Sequence, residues 1–335
     1  MLDKTQQLEE GDVEVGQPTI KAQEYVSSLK QELYKPGLKV KRRAEIEEDL
    51  AKVAHARFIK IRGVVHYVLD EGPVDGVPVI LVHGWDCSSF WWHNVTPILN
   101  KMGYRTINYD FRGHGFTDDN PIGDDDYSIE TMVEDIEALR IFLGLNKFHM
   151  ATFSLGAVIS TAYAALYPQQ VLSLSCFNFG LFNFHPLTVK VMPRVLHFAF
   201  SKMLRKLDQK NWRLLYYYCR LTLAKNPIDS RDILYGMLSL KCCSPRANLN
   251  SLSSIMSKQV LDKLPKWAAA VQTPTLLVPG SHDQVIGKKI PKNLAKIMPN
   301  CTYFEMPHCG HLILAEFPGH VSSMMDMFMS RASIR

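Results

Sequence analysis

The distribution of apolar and polar residues along the chain changes character at about residue 56. From there to about residue 180, short apolar runs alternate with segments whose apolar side chains recur every three or four residues. The first pattern is typical of buried strands and the second of amphipathic helices. Their alternation predicts an α/β fold in which a mostly parallel sheet, joined by right-handed crossovers, is flanked by helices.

The longest uncharged stretch of the chain lies inside this region. No Asp, Glu, Lys or Arg occurs between Phe148 and Val189, a run long enough to suggest a membrane span. Pro168 interrupts the run, and so do the serine and glycine at 154 and 156. Central strands of a parallel sheet covered on both faces are apolar in the same way, and we therefore expect buried strands here.

The first 55 residues predict an extension that is flexible at first and helical later. Residues 1–19 are acidic and poor in apolar side chains, so we expect them to be mobile. Apolar residues spaced by three and four predict helices within 20–55. Basic residues at 39–43 precede acidic ones at 45–49, the wrong order for the dipole of a single helix, so the second helix is expected to begin near Ala44. The extension either packs on the core or docks to a partner or membrane.

Residues 184–262 show helical patterns and no strand, and strand and helix alternate again only after them. This segment holds 13 Lys or Arg against 4 Asp and no Glu, a charge of +9, while the whole protein carries +5. The pattern predicts a helical cap, or lid, inserted into a core made of residues 56–183 and 263–335. The cap contains both aromatic and basic side chains. They are compatible with a lid that covers an apolar acyl chain and turns its basic side toward an anionic membrane. They are equally compatible with a lid that is exposed only to solvent.

The composition indicates which cellular compartment and which kinds of partner to expect. With 335 residues and 47% hydrophobic content, the chain can bury a large core. Seven cysteines are an odd number, and the adjacent pair Cys242 and Cys243 lacks metal-ligand spacing. This favours reduced thiols in a cytosolic or organellar interior, and we expect a cytoplasmic protein. The N-terminus resembles neither a signal nor a transit peptide. We expect no cofactor, no metal and no nucleic-acid partner.

Ser154 lies where an apolar strand meets an Ala-rich helix. A sharp turn of this kind holds its central residue in a strained backbone conformation and raises that side chain above the sheet. The residues two before and two after are pressed together and must be small. Gly156 meets this requirement, whereas Thr152 replaces the usual glycine and predicts a slightly distorted turn.

A serine nucleophile needs a base, and the base needs a carboxylate to orient it. Downstream, Asp283 follows one predicted strand and His311 follows the next. The order Ser, Asp, His is the one that accompanies this kind of turn. His308 is a rival base, and His282 is interpreted as a loop residue.

Other residue types near these motifs point away from direct chemistry. His83 and His114 stand at the ends of predicted strands and are interpreted as shaping the loops there. Cys87 and Cys309 lack a second histidine and carboxylate to activate a thiol.

The chain resembles the α/β-hydrolase superfamily over roughly residues 56–332. The resemblance is carried by the His-Gly-Trp stretch at 83–85, the loop at 110–115 and the three candidate residues Ser154, Asp283 and His311. The resemblance implies an α/β-hydrolase fold with Ser154 as nucleophile, His311 as general base and Asp283 as its orienting acid.

It also implies an oxyanion hole formed by the backbone amides of Trp85 and Leu155, and a substrate pocket walled by Trp85 and Phe153. Members of the superfamily that open epoxides or displace halides use an Asp at the turn. The serine therefore implies acyl transfer to water, as in esterases and monoacylglycerol lipases. Cleavage of a thioester or of a carbon–carbon bond remains an alternative, as does a non-catalytic protein that binds an apolar ligand or a partner. A membrane would be contacted peripherally, through the basic cap.

Overall fold

A nine-stranded sheet dominates the fold. The structure, a computed structural model, describes residues 13–181, 185–206 and 211–333. In these residues the strands lie in the order β1-β2-β3-β5-β4-β6-β7-β8-β9. Pairing is antiparallel from β1 to β5 and parallel from β5 through β9, so the sheet is mostly parallel as predicted. The strands are β1 Val13–Val15, β2 Arg57–Ile61, β3 Val64–Glu71, β4 Pro78–Val82, β5 Arg105–Tyr109, β6 Phe148–Phe153, β7 Val171–Phe177, β8 Thr275–Val278 and β9 Cys301–Tyr303.

Helices cover both faces of the sheet. In chain order they are α1 Ile20–Leu33, α2 Val40–His55, α3 Thr96–Lys101, α4 Ile129–Phe142, α5 Gly156–Leu166, α6 Pro186–His197, α7 Trp212–Thr222, α8 Ser230–Cys242, α9 Pro245–Ile255, α10 Lys258–Ala270, α11 Lys289–Ile297, α12 Ile313–Glu316 and α13 Pro318–Ser333. Along β4, Ile80 and Val82 join the cluster that contains α4 and α5, whereas Val79 and Leu81 join the cluster that contains α13. This two-residue period shows that the central strands are buried on both sides.

The uncharged stretch after Phe148 becomes β6, α5 and β7, as the sequence predicts. Each of these elements is short, and each is packed into the core. In the part of the chain that the structure describes, no helix has the length and apolarity needed to span a membrane.

The N-terminal extension differs from expectation in its first part. Residues 1–12 lie outside the described residues. Val13–Val15 pairs with β2, so the prediction of a flexible segment reaching residue 19 was wrong for this strand. Thr19 then donates from Oγ1 to the carbonyl of Phe116 (2.6 Å) and accepts from the amide of Ala22, which fixes the start of α1 on the core.

The prediction that the second helix begins near Ala44 was also wrong, since α2 begins at Val40. Its first turn therefore contains Arg42, whose Nε donates to Glu32 of α1 (2.9 Å) and whose Nη1 donates to Glu45 (3.3 Å). Contacts with two partly buried carboxylates outweigh the unfavourable helix dipole, whose effect is only about 0.3–1 kcal/mol.

The segment predicted as a cap is helical where it is described. Residues 182–184 and 207–210 are not described. Between these two gaps lie α6, a π-helical turn at Phe198–Met203 and a 3₁₀ turn at Leu204–Lys206, and α7, α8 and α9 follow the second gap. No strand occurs among the described residues of this segment. The boundary predicted after residue 262 falls inside α10. That helix is continuous because it buries Leu264 and Trp267 in the same cluster as α5.

Candidate active site

Ser154 occupies the turn between β6 and α5. Its φ of +53° is the left-handed conformation that non-glycine residues rarely adopt, and its side chain is 8% exposed. A Cβ added at Gly156 would lie 2.1 Å from the carbonyl oxygen of His83, so this position must be glycine. The strained backbone is the one that the sequence predicts for this turn. The close neighbour of Gly156 is His83 of the loop after β4, whereas the sequence predicts Thr152.

Thr152 fits into the turn without disturbing the sheet. It keeps register with Val82 of β4 on one side and with Cys176 of β7 on the other. Its side chain is fully buried, and its Oγ1 has no hydrogen-bond partner among the described residues. The larger residue therefore leaves β6 paired up to Phe153, and no irregularity of pairing occurs next to the serine.

Three side chains converge above the carboxyl ends of the parallel strands. The Nε2 atom of His311 lies 3.0 Å from Oγ of Ser154, and its Nδ1 lies 2.8 Å from Oδ2 of Asp283. All three are buried, with exposed fractions of 5–8%. Oδ1 of Asp283 accepts from the amides of Val285 (2.8 Å) and Ile286 (3.0 Å), which fixes the carboxylate and leaves Oδ2 for the imidazole. Because a carboxylate only accepts, Nδ1 carries its proton toward Asp283, and Nε2 is left facing the serine hydroxyl.

Asn178 links the loop that carries the aspartate to the loop that carries the histidine. Its Nδ2 donates to the carbonyls of Gly310 (2.9 Å) and His311 (2.5 Å), and its Oδ1 accepts from the amide of Gly280 (2.8 Å). It is fully buried at the end of β7 with φ of +49°. Sequence reasoning missed this residue, although a lone Asn directly after a buried strand was a visible signal.

Glu316 secures the histidine loop from behind. Its Oε1 accepts from the amide of Gly310 (2.9 Å), and its Oε2 accepts from the amides of Lys225 (2.8 Å) and Asn226 (2.7 Å). In addition, the amide of His311 donates to the carbonyl of Leu223 (2.5 Å). The histidine loop is therefore bonded directly to the segment that follows α7.

Two main-chain amides beside Ser154 are unpaired. Among the described residues, no group accepts a hydrogen bond from the N–H of Trp85 or of Leu155. The loop that holds Trp85 lies against the serine, since a Cβ added at Gly84 would be 3.2 Å from the serine Cβ. His83 shapes this loop: its Nδ1 donates to the carbonyl of Gly84 (2.7 Å), and its Nε2 accepts from the amide of Phe111 (3.1 Å). Burial lowers the pKa of His83 well below its usual value, so the ring stays neutral in this role.

A cavity of about 410 Å³ opens onto Ser154 and His311. Phe153 and Trp85 both line it, and the indole of Trp85 also donates from Nε1 to the carbonyl of Asn248 (2.9 Å). Most of the wall is apolar, and much of it comes from the predicted cap. The apolar lining includes Trp91, Val158, Leu196, Leu215, Leu252 and Leu264.

The remaining candidates lie away from the serine or are unsuited to react. His308 is exposed and stacks on the ring of His282 at 5.6 Å, and His282 contacts Ser281. Burial raises the pKa of the thiols of Cys87 and Cys309, which keeps both protonated. His114 donates to the carbonyl of Arg112, and burial lowers its pKa to about 4.

The fold and this arrangement of residues place the protein in a known class. The chain belongs to the α/β-hydrolase fold family, whose sequence profile matches residues 77–318. It is similar to the cis-3-alkyl-4-alkyloxetan-2-one decarboxylase of Shewanella oneidensis, with 27% identity over 282 residues that cover 79% of this chain and 85% of that one. It is also similar to the human monoacylglycerol lipase ABHD6, with 24% identity over 259 residues that cover 75% of each chain. A crystal structure from work on carboxylesterases of Nitrososphaera gargenis superposes with a TM-score of 0.68 at 19% identity, covering 81% of this chain and 96% of that one.

Proposed function

We propose that the protein is a serine hydrolase that cleaves carboxylic esters of apolar acyl substrates through an acyl-enzyme intermediate. The observation that carries the proposal is the continuous hydrogen-bonded chain from Asp283 through His311 to Ser154, which ends in an apolar cavity. Similarity to a monoacylglycerol lipase and to a carboxylesterase structure supports the same reaction class.

The geometry accounts for each step of such a reaction. Nε2 of His311 takes the hydroxyl proton as Oγ of Ser154 attacks the ester carbonyl, and Asp283 stabilises the imidazolium that forms. The carbonyl oxygen becomes an oxyanion, and we assign its binding to the main-chain amides of Trp85 and Leu155. His311 then returns the proton to the departing alcohol. In the second half, water replaces the alcohol, and the same proton transfers release the carboxylic acid and free serine.

The residue at the turn separates this proposal from other activities in the family. An Asp nucleophile forms an alkyl ester and suits the opening of an epoxide, whereas Ser154 forms an acyl ester that water hydrolyses. Thioesters and carbon–carbon bonds of diketones would pass through the same acyl-enzyme, so they are the competing substrate classes. The apolar lining of the cavity favours an ester with an apolar acyl chain.

A fluorophosphonate probe tests the nucleophile directly. The wild-type protein should be labelled and Ser154→Ala should not. Ser160→Ala is the matched control, because Ser160 is a fully buried serine further along α5, and this variant should label like wild type. Failure of the wild-type protein to label or to hydrolyse any p-nitrophenyl ester of graded acyl length would favour a non-catalytic binding protein. Faster turnover of thioesters or diketones than of the matched ester would reassign the substrate class.

We further propose that the cap touches anionic membranes peripherally. Apolar side chains of the cap are exposed to solvent, including Val195 (53%), Phe198 (60%) and Leu221 (77%). Lys190 and Arg194 of α6 lie beside two of these residues: Val195, also on α6, and Phe198, in the turn that follows α6. Apolar residues bordered by cations are the combination that binds an anionic lipid surface.

Sedimentation with vesicles tests this contact. The double variant Lys190→Gln and Arg194→Gln should bind about 10-fold or more weakly to vesicles containing phosphatidylglycerol, since each cation contributes about 1 kcal/mol. The control variant carries Lys292→Gln and Lys296→Gln on α11. It removes the same charge from solvent-exposed positions outside the cap, so it should bind like wild type. Equal loss in both variants would show attraction by net charge alone, without a defined face.

A further inference from the structure

One residue in the wall of the apolar cavity is a glycine inside a helix. Gly236 lies midway along α8, and it lines the cavity that opens onto Ser154 and His311. A glycine in a helix interior lowers the equilibrium constant for folding about four- to five-fold relative to alanine, because the unfolded chain gains backbone freedom. A cost of this size in a cavity wall requires an explanation.

Neither the backbone nor the packing of α8 requires this glycine. At Gly156, by contrast, an added Cβ would lie 2.1 Å from the carbonyl oxygen of His83. A Cβ added at Gly236 would have its nearest described neighbours in one ring, with Cζ2 of Trp91 at 3.4 Å and Cη2 at 3.9 Å, which are ordinary contact distances. The φ of Gly236 is also not positive. Alanine would therefore fit here, and what the glycine contributes is space.

That space belongs to the cavity. Asp232 and Leu240 lie one turn to either side of Gly236, on the same face of α8, and both line the cavity as well. Because side chains stand at 232 and 240 but not at 236, the wall has a recess at Gly236. Gly236 and Trp91 both keep accessible surface, so the recess is open.

Aromatic rings lead from the candidate triad to this recess. The ring of Phe153 lies 5.3 Å from the imidazole of His311, and the indole of Trp91 stacks on Phe153 at 6.5 Å with 24° between the planes. All three residues line the cavity. The one carboxylate in this part of the wall, that of Asp232, has both oxygens hydrogen-bonded to protein groups. The path from the serine to the recess therefore suits a hydrocarbon chain.

We propose that Gly236 determines how long an apolar chain the substrate can carry, because the end of that chain occupies the recess against Trp91. This assignment rests on the proposed ester hydrolysis, and it specifies esters whose chain is long enough to pass Phe153. A side chain at position 236 would fill the recess and exclude the last methylene groups of a long chain. Each excluded methylene should weaken binding about four-fold, whereas chains too short to reach the recess should be unaffected.

Equilibrium binding to the Ser154→Ala protein tests the recess without requiring turnover. Two series of ligands are used: propyl esters from butanoate to dodecanoate vary the acyl chain, and acetate esters of the alcohols from butanol to dodecanol vary the other side. Gly236→Ala should weaken the long members of one series about four-fold. Gly236→Leu should weaken them about 100-fold or more and leave the shortest member unchanged. The series that responds identifies the chain that lies in the recess.

Urea unfolding separates a role in making space from a role in packing. Gly236→Ala should raise the equilibrium constant for folding about four- to five-fold, because it removes the cost of a helical glycine. Gly319→Ala is the matched control. Gly319 is an exposed residue of α13, outside the cavity, and an added Cβ would meet nothing within 4 Å. This control should keep the affinities of wild type in both series. Fluorophosphonate labelling of each variant with Ser154 intact confirms that the site is folded.

Unchanged chain-length profiles for both Gly236 variants, or an equal loss for the shortest and longest ligands, would overturn the assignment. A Gly236→Ala protein less stable than wild type would also do so, since packing would then explain the glycine. Hydrolysis of propyl octanoate by the wild-type protein reports separately on the proposed function. Failure of the recess and failure of esterase activity are thus distinguishable outcomes.

Discussion

Replacing Asn178 by glycine tests whether this side chain holds the loop of Asp283 and the loop of His311 in position. Glycine accepts the φ of +49° at this position, so the change removes the side chain without straining the backbone. Three buried backbone groups lose a bond: the carbonyls of Gly310 and His311 and the amide of Gly280. The carbonyl of Gly310 still accepts from Sγ of Cys309 (3.4 Å), so two groups are orphaned. Each lost bond contributes about 1 kcal/mol, and each of the two orphaned groups costs up to about 3 kcal/mol, so we expect a loss of about 3–7 kcal/mol in the free energy of unfolding.

The effect on catalysis should exceed the effect on substrate binding. Without Asn178, the loop of Asp283 stays joined to the loop of His311 by main-chain bonds such as that from the amide of His282 to the carbonyl of Cys309 (2.8 Å). The imidazole, however, must stay within about 3 Å of both partners. A displacement of about 1 Å in reacting groups can cost 10²-fold in rate. We therefore expect kcat to fall about 100-fold, with KM changed only a few-fold because the cavity wall is intact.

Urea unfolding and steady-state hydrolysis of a p-nitrophenyl ester measure the two effects. Asn108→Ala is the matched control: it removes a buried amide of β5 that donates to Thr96 (3.2 Å), away from the site, and should lower stability while leaving kcat unchanged. An Asn178→Gly protein that loses stability as expected but keeps the wild-type kcat below its unfolding transition would refute the positioning role.

Three further predictions concern the turn, the histidine loop and acid stability. Gly156→Ala brings a methyl group to 2.1 Å from the carbonyl of His83, so it should cost about 3 kcal/mol or more in urea unfolding and abolish fluorophosphonate labelling. Glu316→Gln replaces one carboxylate oxygen by an NH₂ group, which cannot accept the N–H bonds made there by Gly310 or by the segment after α7. We expect the free energy of unfolding to fall by about 2 kcal/mol, and kcat to fall more than substrate affinity. Burial lowers the pKa of His149 to about 4, so between pH 6.5 and 4 the unfolded chain holds a proton that the folded one lacks, and stability falls as pH falls. His149→Gln should remove about 2 kcal/mol of the stability difference between pH 7 and pH 5, measured by urea unfolding.

The features that sequence predicted are those set by local pattern. Apolar periodicity predicted the alternating strands and helices between about residues 56 and 180. The convergence of Ser154, Asp283 and His311 was predictable because parallel strands align their carboxyl ends on one edge of a sheet, and residues that follow those strands must meet there.

The features that sequence did not predict depend on partners distant in the chain. Asn178 bonds to residues 102 and 133 positions away, and nothing in its neighbourhood specifies them. The start of α2 at Val40 depends on the ion pair of Arg42 with Glu32 of another helix. The bond from Nε1 of Trp85 to the carbonyl of Asn248 became apparent only when α9 was seen to pack against the turn after β4. Propensity and periodicity carry no information on such contacts.

The contacts of the N-terminal extension also restrict how the cavity can open. Buried Asp49 of α2 accepts hydrogen bonds from Tyr25 of α1 (2.8 Å) and from Tyr235 (2.5 Å) and Arg231 (2.8 Å) of α8. Displacing α8 would leave this carboxylate without its partners, which is strongly destabilising for a buried charge.

The same helix is bound to the core at two further points, because Ser239 lies 2.9 Å from Ser88 and Asp232 lies 2.8 Å from His93. For α6, by contrast, the side-chain bond to another described helix is that of His197 with Asn248. A movement that admits substrate therefore breaks fewer contacts at α6 than at α8. The side of the cap that is easier to move is thus the side that exposes its apolar residues.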